Sequence, residues 1–290
     1  MLHVTDIHTD TKYAEGSIGN CIDPFCCRKD SKPDKKEKIE NSGRWGYLGK
    51  CDLPVNTLIN FIETVASEIQ PDIVIWTGDN PSHAEWEDDT TQQIYTVTKL
   101  FTNLLNEKIS NKTVIYPSLG NHEKFPADQF FPFDDQKEKP LLKFFADLWS
   151  DWLGEEAYQT FSNYGYYSKK HLDTNLRIIS YNCLYCDIFN FYLIKNPTDP
   201  NNQIQWLERT LRQAEIDNEI VYVIGHISAA DTSMLTECAK RFKALTDRFS
   251  HIIKGQFAGH THFDEIKVMN EYFDNSKVSG IVYLAPSLTT

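Results

Sequence analysis

Residues 73–83 read Ile73-Val74-Ile75-Trp76-Thr77-Gly78-Asp79-Asn80-Pro81-Ser82-His83. Four strand-forming residues run into a Gly-Asp turn, and Pro81 keeps Asn80 out of a helix. A buried strand that ends on Gly-Asp, with a histidine four residues later, is one of five similar segments. Working outward, Asp6-Ile7-His8 follows the apolar run 2–5. Gly120-Asn121-His122-Glu123 follows 113–117, Gly225-His226 follows 220–224, and Gly259-His260-Thr261-His262 follows 253–258. Ligands in open α/β sheets bind beyond the carboxyl ends of the strands. Five distant segments would therefore bring Asp, Asn and His to one sheet edge. One histidine after a strand is unremarkable; five such loops are hard to explain as packing.

The rest of the chain supports a layered α/β fold. Further strands are expected at 72–77, 177–182 and 280–285, all rich in Val, Ile and aromatic residues. Apolar stripes at helical spacing lie between them. One is Val55, Leu58, Ile59, Ile62, Val65, Ala66 and Ile69, and another is Ile94, Val97, Phe101, Leu104 and Leu105. A third is Leu141, Phe144, Phe145, Leu148 and Trp152, and a fourth Ile204, Leu207, Leu211 and Ala214. Strands alternating with helices give sheets flanked by helices.

Composition narrows the function. The 290 residues are 41% hydrophobic and 24% charged, ordinary globular values that exclude a disordered or fibrous chain. With 29 basic against 41 acidic residues, the formal charge is −12. That disfavours nucleic-acid polymers as partners and electrostatic binding to anionic membranes. No apolar run is long enough for a transmembrane helix, and nothing sets an oligomeric state. Of seven cysteines, four fall early: Cys21, Cys26, Cys27 and Cys51. Clustered cysteines in a polar segment point to disulfides and an oxidising compartment, with reduced surface thiols as the alternative. The Cys26-Cys27 spacing is wrong for a zinc knuckle. The sequon Asn111-Lys112-Thr113 fits a secreted chain. Residues 28–44 hold seven basic and four acidic residues and read as a solvated loop. Apolar runs close to both termini suggest a domain trimmed at each end.

The residue types define the chemistry. Asp, Asn and neutral His bind divalent cations through oxygen and nitrogen. In an extended segment, residues i and i+2 face one side, so Asp6 and His8, or His260 and His262, could share a metal cluster. The glycines at 78, 120, 225 and 259 would let the backbone turn beside it. The candidate ligands are too many for one ion; two ions sharing a carboxylate would use them all.

These five motifs, in this order, resemble those of calcineurin-like metallophosphoesterases. Cys21-Ile22-Asp23-Pro24-Phe25-Cys26-Cys27, Lys50-Cys51-Asp52-Leu53-Pro54 and Leu284-Ala285-Pro286-Ser287 are similar to the acid sphingomyelinase and sphingomyelinase-like phosphodiesterase branch. The resemblance runs over essentially the whole chain. It implies one catalytic domain, residues 1–290, containing a disulfide-stapled insertion at 21–51, with Cys21 bonded to Cys26 and Cys27 to Cys51. It implies Asp6, His8 and His262 on one metal, Asn121, His226 and His260 on the other, and Asp79 bridging. The ions would be zinc, with manganese or iron as alternatives. His83 and His122 would be catalytic without being ligands; Asp52 and Glu123 are candidate partners for them.

The implied activity is hydrolysis of a phosphodiester, sphingomyelin to ceramide and phosphocholine, by a hydroxide bridging the metals. The alternatives are a sphingomyelinase-like enzyme acting on nucleotides or other soluble phosphate esters, and an inactive binding fragment. The implied setting is secretion or the lysosomal lumen, with peripheral membrane contact. Phe130, Phe131, Phe133, Trp149 and Trp152 could form an apolar surface for a lipid, or simply fill the core. Two features depart from the branch. Ser228 stands where many relatives have proline. Cys186 lacks its expected mate near Thr232, leaving Cys183 or Cys238 as its partner.

Overall fold

The computed structural model describes every residue except 85–89, 133–134, 196, 272 and 290. The chain begins with β1 (Leu2–Val4), β2 (Thr9–Asp10) and β3 (Leu53–Pro54). It continues through α1 (Val55–Thr64), β4 (Ile73–Trp76), α2 (Thr91–Lys108) and β5 (Val114–Pro117). Next come α3 (Asp135–Leu148), α4 (Ser150–Tyr164), β6 (Tyr167–Lys170), β7 (Leu176–Ser180) and α5 (Gln203–Ile216). The chain closes with β8 (Ile220–Ile224), α6 (Thr236–Arg248), β9 (Ile253–Ala258), β10 (Glu265–Asn270) and β11 (Val278–Leu284).

Two principal sheets face one another. The smaller is parallel, in the order β1-β4-β5; the larger is mixed, in the order β10-β11-β9-β8-β7-β6. In the larger sheet β7, β8, β9 and β11 run parallel, while β6 and β10 pair antiparallel at its two edges. The sheets meet through side chains. His3 of β1 stands edge-on to Phe257 of β9 with ring centroids 5.7 Å apart. Tyr167 of β6 donates its hydroxyl to the Pro117 carbonyl at the end of β5, at 2.9 Å. Trp76 of β4 packs edge-on against Phe101 of α2 and against Trp149, covering the smaller sheet. Leu207 and Leu211 of α5 and Phe242 of α6 are buried on the other side. This is the layered α/β sandwich expected from the sequence.

All seven expected strands are present, and three expectations need correction. The five loops leave two different sheets: β1, β4 and β5 in one, β8 and β9 in the other. The third stripe is split between α3 and α4, because Trp149 leaves helical geometry (φ −104°, ψ 12°). Its buried indole donates to Thr102 Oγ1 at 3.2 Å and plugs the junction. Of the two readings of the aromatic residues, the core one holds for Phe130 and Trp149, which are buried, and for Trp152, which packs against the core. Phe133 lies outside the described residues. Arg28, at the start of the charged loop, is buried and forks onto Asp10 through Nε (2.8 Å) and Nη2 (2.9 Å).

Disulfides join Cys21 to Cys26 and Cys27 to Cys51, as the resemblance implied. Cys186 pairs with Cys238, and Cys183 is a buried free thiol.

His3 yields a test. Burial lowers its pKa to about 4, from 6.5. Between those values the unfolded chain takes up a proton that the folded chain refuses, so stability falls as pH drops from 6.5 towards 4. His3 Nε2 lies 3.1 Å from Thr77 Oγ1; His3→Gln keeps a polar partner for that hydroxyl and removes the titration. Urea unfolding of the wild type should lose about 2 kcal/mol more than His3→Gln between pH 7 and pH 5. Equal losses would contradict a buried neutral His3.

Candidate metal centre

Every expected site residue lies at the common C-terminal edge of the two sheets. The backbone gets there by an unexpected route. Asp6 (φ 49°), His8 (φ 30°), Asp79 (φ 59°), His260 (φ 74°) and His262 (φ 64°) are left-handed, so neither paired motif is an extended segment. These tight turns, not strand alternation, aim the side chains inward. Such conformations cost energy for residues with a Cβ and cluster at functional sites. The glycines work mainly by closeness. Gly78 is left-handed (φ 91°), but at Gly120 a Cβ would sit 2.0 Å from Asp79 Oδ1.

Asp6 and Asp79 form the centre. Asp6 Oδ1 lies 3.6 Å from His8 Nε2, 3.7 Å from His226 Nε2 and 3.3 Å from His262 Nε2. Asp79 Oδ2 lies 3.6 Å from His8 Nε2, 3.0 Å from His226 Nε2 and 3.9 Å from His122 Nε2. On the far side, His260 Nδ1 is 3.1 Å from Asn121 Oδ1. The donor atoms of Asp6, His8 and Asp79 fall within 4.8 Å of one another, as do those of Asp79, His226 and His260.

The surroundings fix these orientations. His8 Nδ1 lies 2.9 Å from the Pro81 carbonyl, and His226 Nδ1 lies 2.8 Å from that of Thr77. A ring nitrogen facing a carbonyl must donate, so Nε2 is the atom of each ring that faces inward, free to bind a cation once any proton on it is displaced. Asn121 Nδ2 donates to Asp128 Oδ1 at 2.9 Å, turning its carbonyl oxygen towards His260. Glu123, expected as a partner of a catalytic histidine, instead accepts from the backbone of Asp79, Asn80 and Gly120 at 2.8, 2.7 and 2.6 Å. It ties the β4 loop to the β5 loop. Burial and Asp79 push its pKa up to about 7 against those three donors.

The donor set fits cations. Asp6 Oδ1, His8 Nε2 and His226 Nε2 are buried without a hydrogen-bond partner, and all three face the shared space. Buried polar atoms are rarely left so. The charge balance agrees. Although burial opposes it, His226, His122 and His8 hold the Asp79 carboxyl well below the usual range. Burial alone would lower the His226 pKa, yet Asp79 and Asp6 push it up to about 10. Two buried carboxylates thus demand positive charge, which a divalent cation supplies while displacing the proton. Burial and His226 lower His260 to about 4, leaving it neutral and able to coordinate.

His83 stacks on His8 with centroids 3.8 Å apart, and its donor atoms fall within 4.8 Å of those of His8 and His262. It is thus closer to the ligand group than expected. Its Nδ1 is engaged by Asp52 Oδ1 at 3.0 Å, and its backbone N–H donates to Asp52 Oδ2 at 2.6 Å. Thr289 Oγ1 donates to Asp52 Oδ1 at 3.0 Å. Thr289, Asp128 and Ser233, whose Oγ is 3.0 Å from His260 Nε2, carry no local motif. Only folding brings them to the site.

The profile of calcineurin-like phosphoesterases matches residues 1–264. Sphingomyelin phosphodiesterase of Bos taurus is 36% identical over 293 residues, covering 100% of this chain and 46% of that protein. Sphingomyelin phosphodiesterase 1 of Caenorhabditis elegans is also 36% identical, covering 100% of this chain and 51% of that one. A cyclic GMP-AMP phosphodiesterase of Mus musculus is 33% identical, covering 99% and 63%. The chain thus spans about half the length of the sphingomyelin phosphodiesterases that it matches. The crystal structure of a dimetal phosphatase from Danio rerio superposes with a TM-score of 0.58 at 13% identity, over 98% of this chain and 86% of that one. That likeness bears on the fold alone.

Asp52 is testable as the residue that orients His83. In Asp52→Asn one face of the side chain still accepts, but the pair can no longer hold both the backbone and the ring of His83 as a carboxylate does. The 15N shifts of the His83 ring, read in chelated protein, should move from a fixed Nδ1–H form to a tautomer mixture. The melting temperature should change little. An unchanged His83 spectrum would remove Asp52 from this role.

Proposed function

The chain belongs to the calcineurin-like phosphoesterase family, and from that premise we propose that it is a two-metal phosphodiesterase of the sphingomyelinase type. The observation that carries the reading is the set of buried atoms Asp6 Oδ1, His8 Nε2 and His226 Nε2, which face one shared space beside two ionised aspartates. Asp6, His8 and His262 would hold one ion, Asn121, His226 and His260 the other, and Asp79 both. Zinc suits this nitrogen-rich set, and manganese or iron can also take it. Two bound cations would neutralise phosphate oxygens and lower the pKa of a water molecule.

The remaining steps belong to the chain itself. The net reaction adds water across the P–O bond, giving a phosphomonoester and an alcohol. With its Nδ1–H held by Asp52, His83 acts as the imidazolium: its Nε2–H passes the proton to the leaving alkoxide, and the ring is left as the neutral Nδ1–H form. His122 donates its backbone N–H to Asp79 Oδ1 at 2.9 Å, which places its ring beside the same carboxylate and in reach of a phosphate oxygen. The site edge, with His83 about one third exposed, gives the substrate access.

Sphingomyelin, cleaved to ceramide and phosphocholine, is the substrate favoured by the relatives at 36% identity. The relative named a cyclic GMP-AMP phosphodiesterase, at 33%, favours a second reading in which a soluble nucleotide diester occupies the same site. The three disulfides and the exposed Asn111 sequon support an oxidising setting, either secretion or the lysosomal lumen. Among the described residues no helix is long and apolar enough to cross a membrane.

Hydrolysis of bis-nitrophenyl phosphate, sphingomyelin and cyclic GMP-AMP should stop with chelator and return with zinc or manganese. His83→Ala should lower kcat about 10²–10⁴-fold on substrates with alkoxide leaving groups and much less on the nitrophenyl ester, which needs no proton. Chelator-resistant turnover would contradict the two-metal reading. Equal losses on both leaving groups would remove the acid role from His83.

A further inference from the structure

Between β7 and α5, residues 186–195 carry five large apolar side chains turned to solvent: Ile188, Phe189, Phe191, Tyr192 and Ile194. Phe191 is 64% exposed and Ile194 81%. Scattered exposed apolar residues need no explanation, but a contiguous set does.

The backbone beneath them is fixed. Cys186 is bonded to Cys238. The Asn190 side chain donates to the Phe130 and Leu184 carbonyls, both at 2.7 Å. Phe189 N–H donates to Asp187 Oδ1 at 2.9 Å, and Leu193 is buried as an anchor. The five side chains are therefore held outward.

The segment also borders the candidate metal centre at two points. Ile188 N–H donates to the Ser233 carbonyl at 2.9 Å, and the Ser233 hydroxyl touches His260. Gln129 donates to the Phe189 carbonyl at 2.6 Å, and its neighbour Asp128 holds Asn121. Cations flank the patch. Lys137 Nζ sits 4.5 Å above the Phe131 ring and 4.7 Å above that of Tyr192, and Lys195 ends the segment.

We propose that this face docks on the surface of a lipid bilayer, bringing a membrane-borne phosphodiester headgroup to the metal centre. Apolar side chains would enter the acyl boundary, and the ammonium groups would meet lipid phosphates at the headgroup level. The chain's charge of −12 opposes an anionic membrane, so the surface that fits is zwitterionic. The proposal rests on the phosphodiesterase reading and deepens it by naming where the substrate resides.

The test is flotation of the 290-residue protein with vesicles of phosphatidylcholine and sphingomyelin, beside hydrolysis of soluble bis-nitrophenyl phosphate. Wild type should float. The triple variant Phe189→Ser, Phe191→Ser, Ile194→Ser should lose at least about tenfold in vesicle partition and in vesicle hydrolysis, with soluble-diester turnover unchanged. The single variant Ile194→Glu, at the most exposed position of the five, should lose part of the partition. Ile266→Ser with Val268→Ser, on an exposed apolar face of β10 in another part of the sheet, should lose none.

A wild type that stays unbound, or a triple variant that floats as well as wild type, overturns the proposal. So does self-association abolished by the triple variant without flotation, which would assign the patch to a protein contact. Loss of soluble-diester turnover in the wild type would count against the hydrolase reading and leave flotation to be scored independently.

Discussion

Two buried carboxylates, Asp6 and Asp79, face the same small volume, and the surrounding structure answers the charge they create. Burying one ionised carboxylate is expensive; burying two in one space is tolerated only with compensating positive charge. The protein supplies inward-facing imidazoles from both sheets, with His8 and His226 each fixed through Nδ1 to a backbone carbonyl. Neither sheet holds the site alone. Asp6, Asp79 and Asn121 come from the smaller sheet, and His226, His260 and His262 from the larger. The sandwich geometry, set by contacts such as His3 on Phe257 and Tyr167 on the Pro117 carbonyl, therefore decides whether the centre exists.

The same demand accounts for the strained backbone. Five site residues with side chains occupy left-handed conformations, which elsewhere favour glycine. The strain is held by local ties: Glu123 gathers three backbone N–H groups, and Asp6 Oδ2 accepts from Thr5 Oγ1 at 2.6 Å and from the His260 backbone at 3.0 Å. Residues assigned to the ligand set thus also serve as braces for one another.

Much of this was legible in the sequence, because a buried parallel strand followed by a short polar loop leaves a strong local pattern. The seven strands and the stripes of α1, α2 and α5 came from apolar period alone. What escaped has physical reasons. β6 (Tyr167–Lys170) and β10 (Glu265–Asn270) are edge strands, where Ser168, Lys169, Lys170 and exposed Ile266 break the expected burial pattern. In α6 the buried positions are Cys238, Phe242 and Thr246, too mixed to read as a stripe. The metal-ligand candidates were readable, but their backbone was not: alternation in Asp6-Ile7-His8 looks the same whether the segment is extended or turned. Asp52, named beforehand as a candidate partner, does hold His83, whereas Ser233 meets His260 and Thr289 meets Asp52 across the fold, where no spacing rule reaches.

The central claim is that Asp79 sits between two cations. Crystals grown with zinc or manganese, measured on both sides of the metal's absorption edge, test it directly. The account predicts two anomalous peaks about 3.5–4 Å apart, one on each side of the Asp79 carboxylate. One should be bounded by Asp6, His8 and His262, the other by Asn121, His226 and His260. A single peak, or a second peak coordinated by His83 in place of that set, would contradict it.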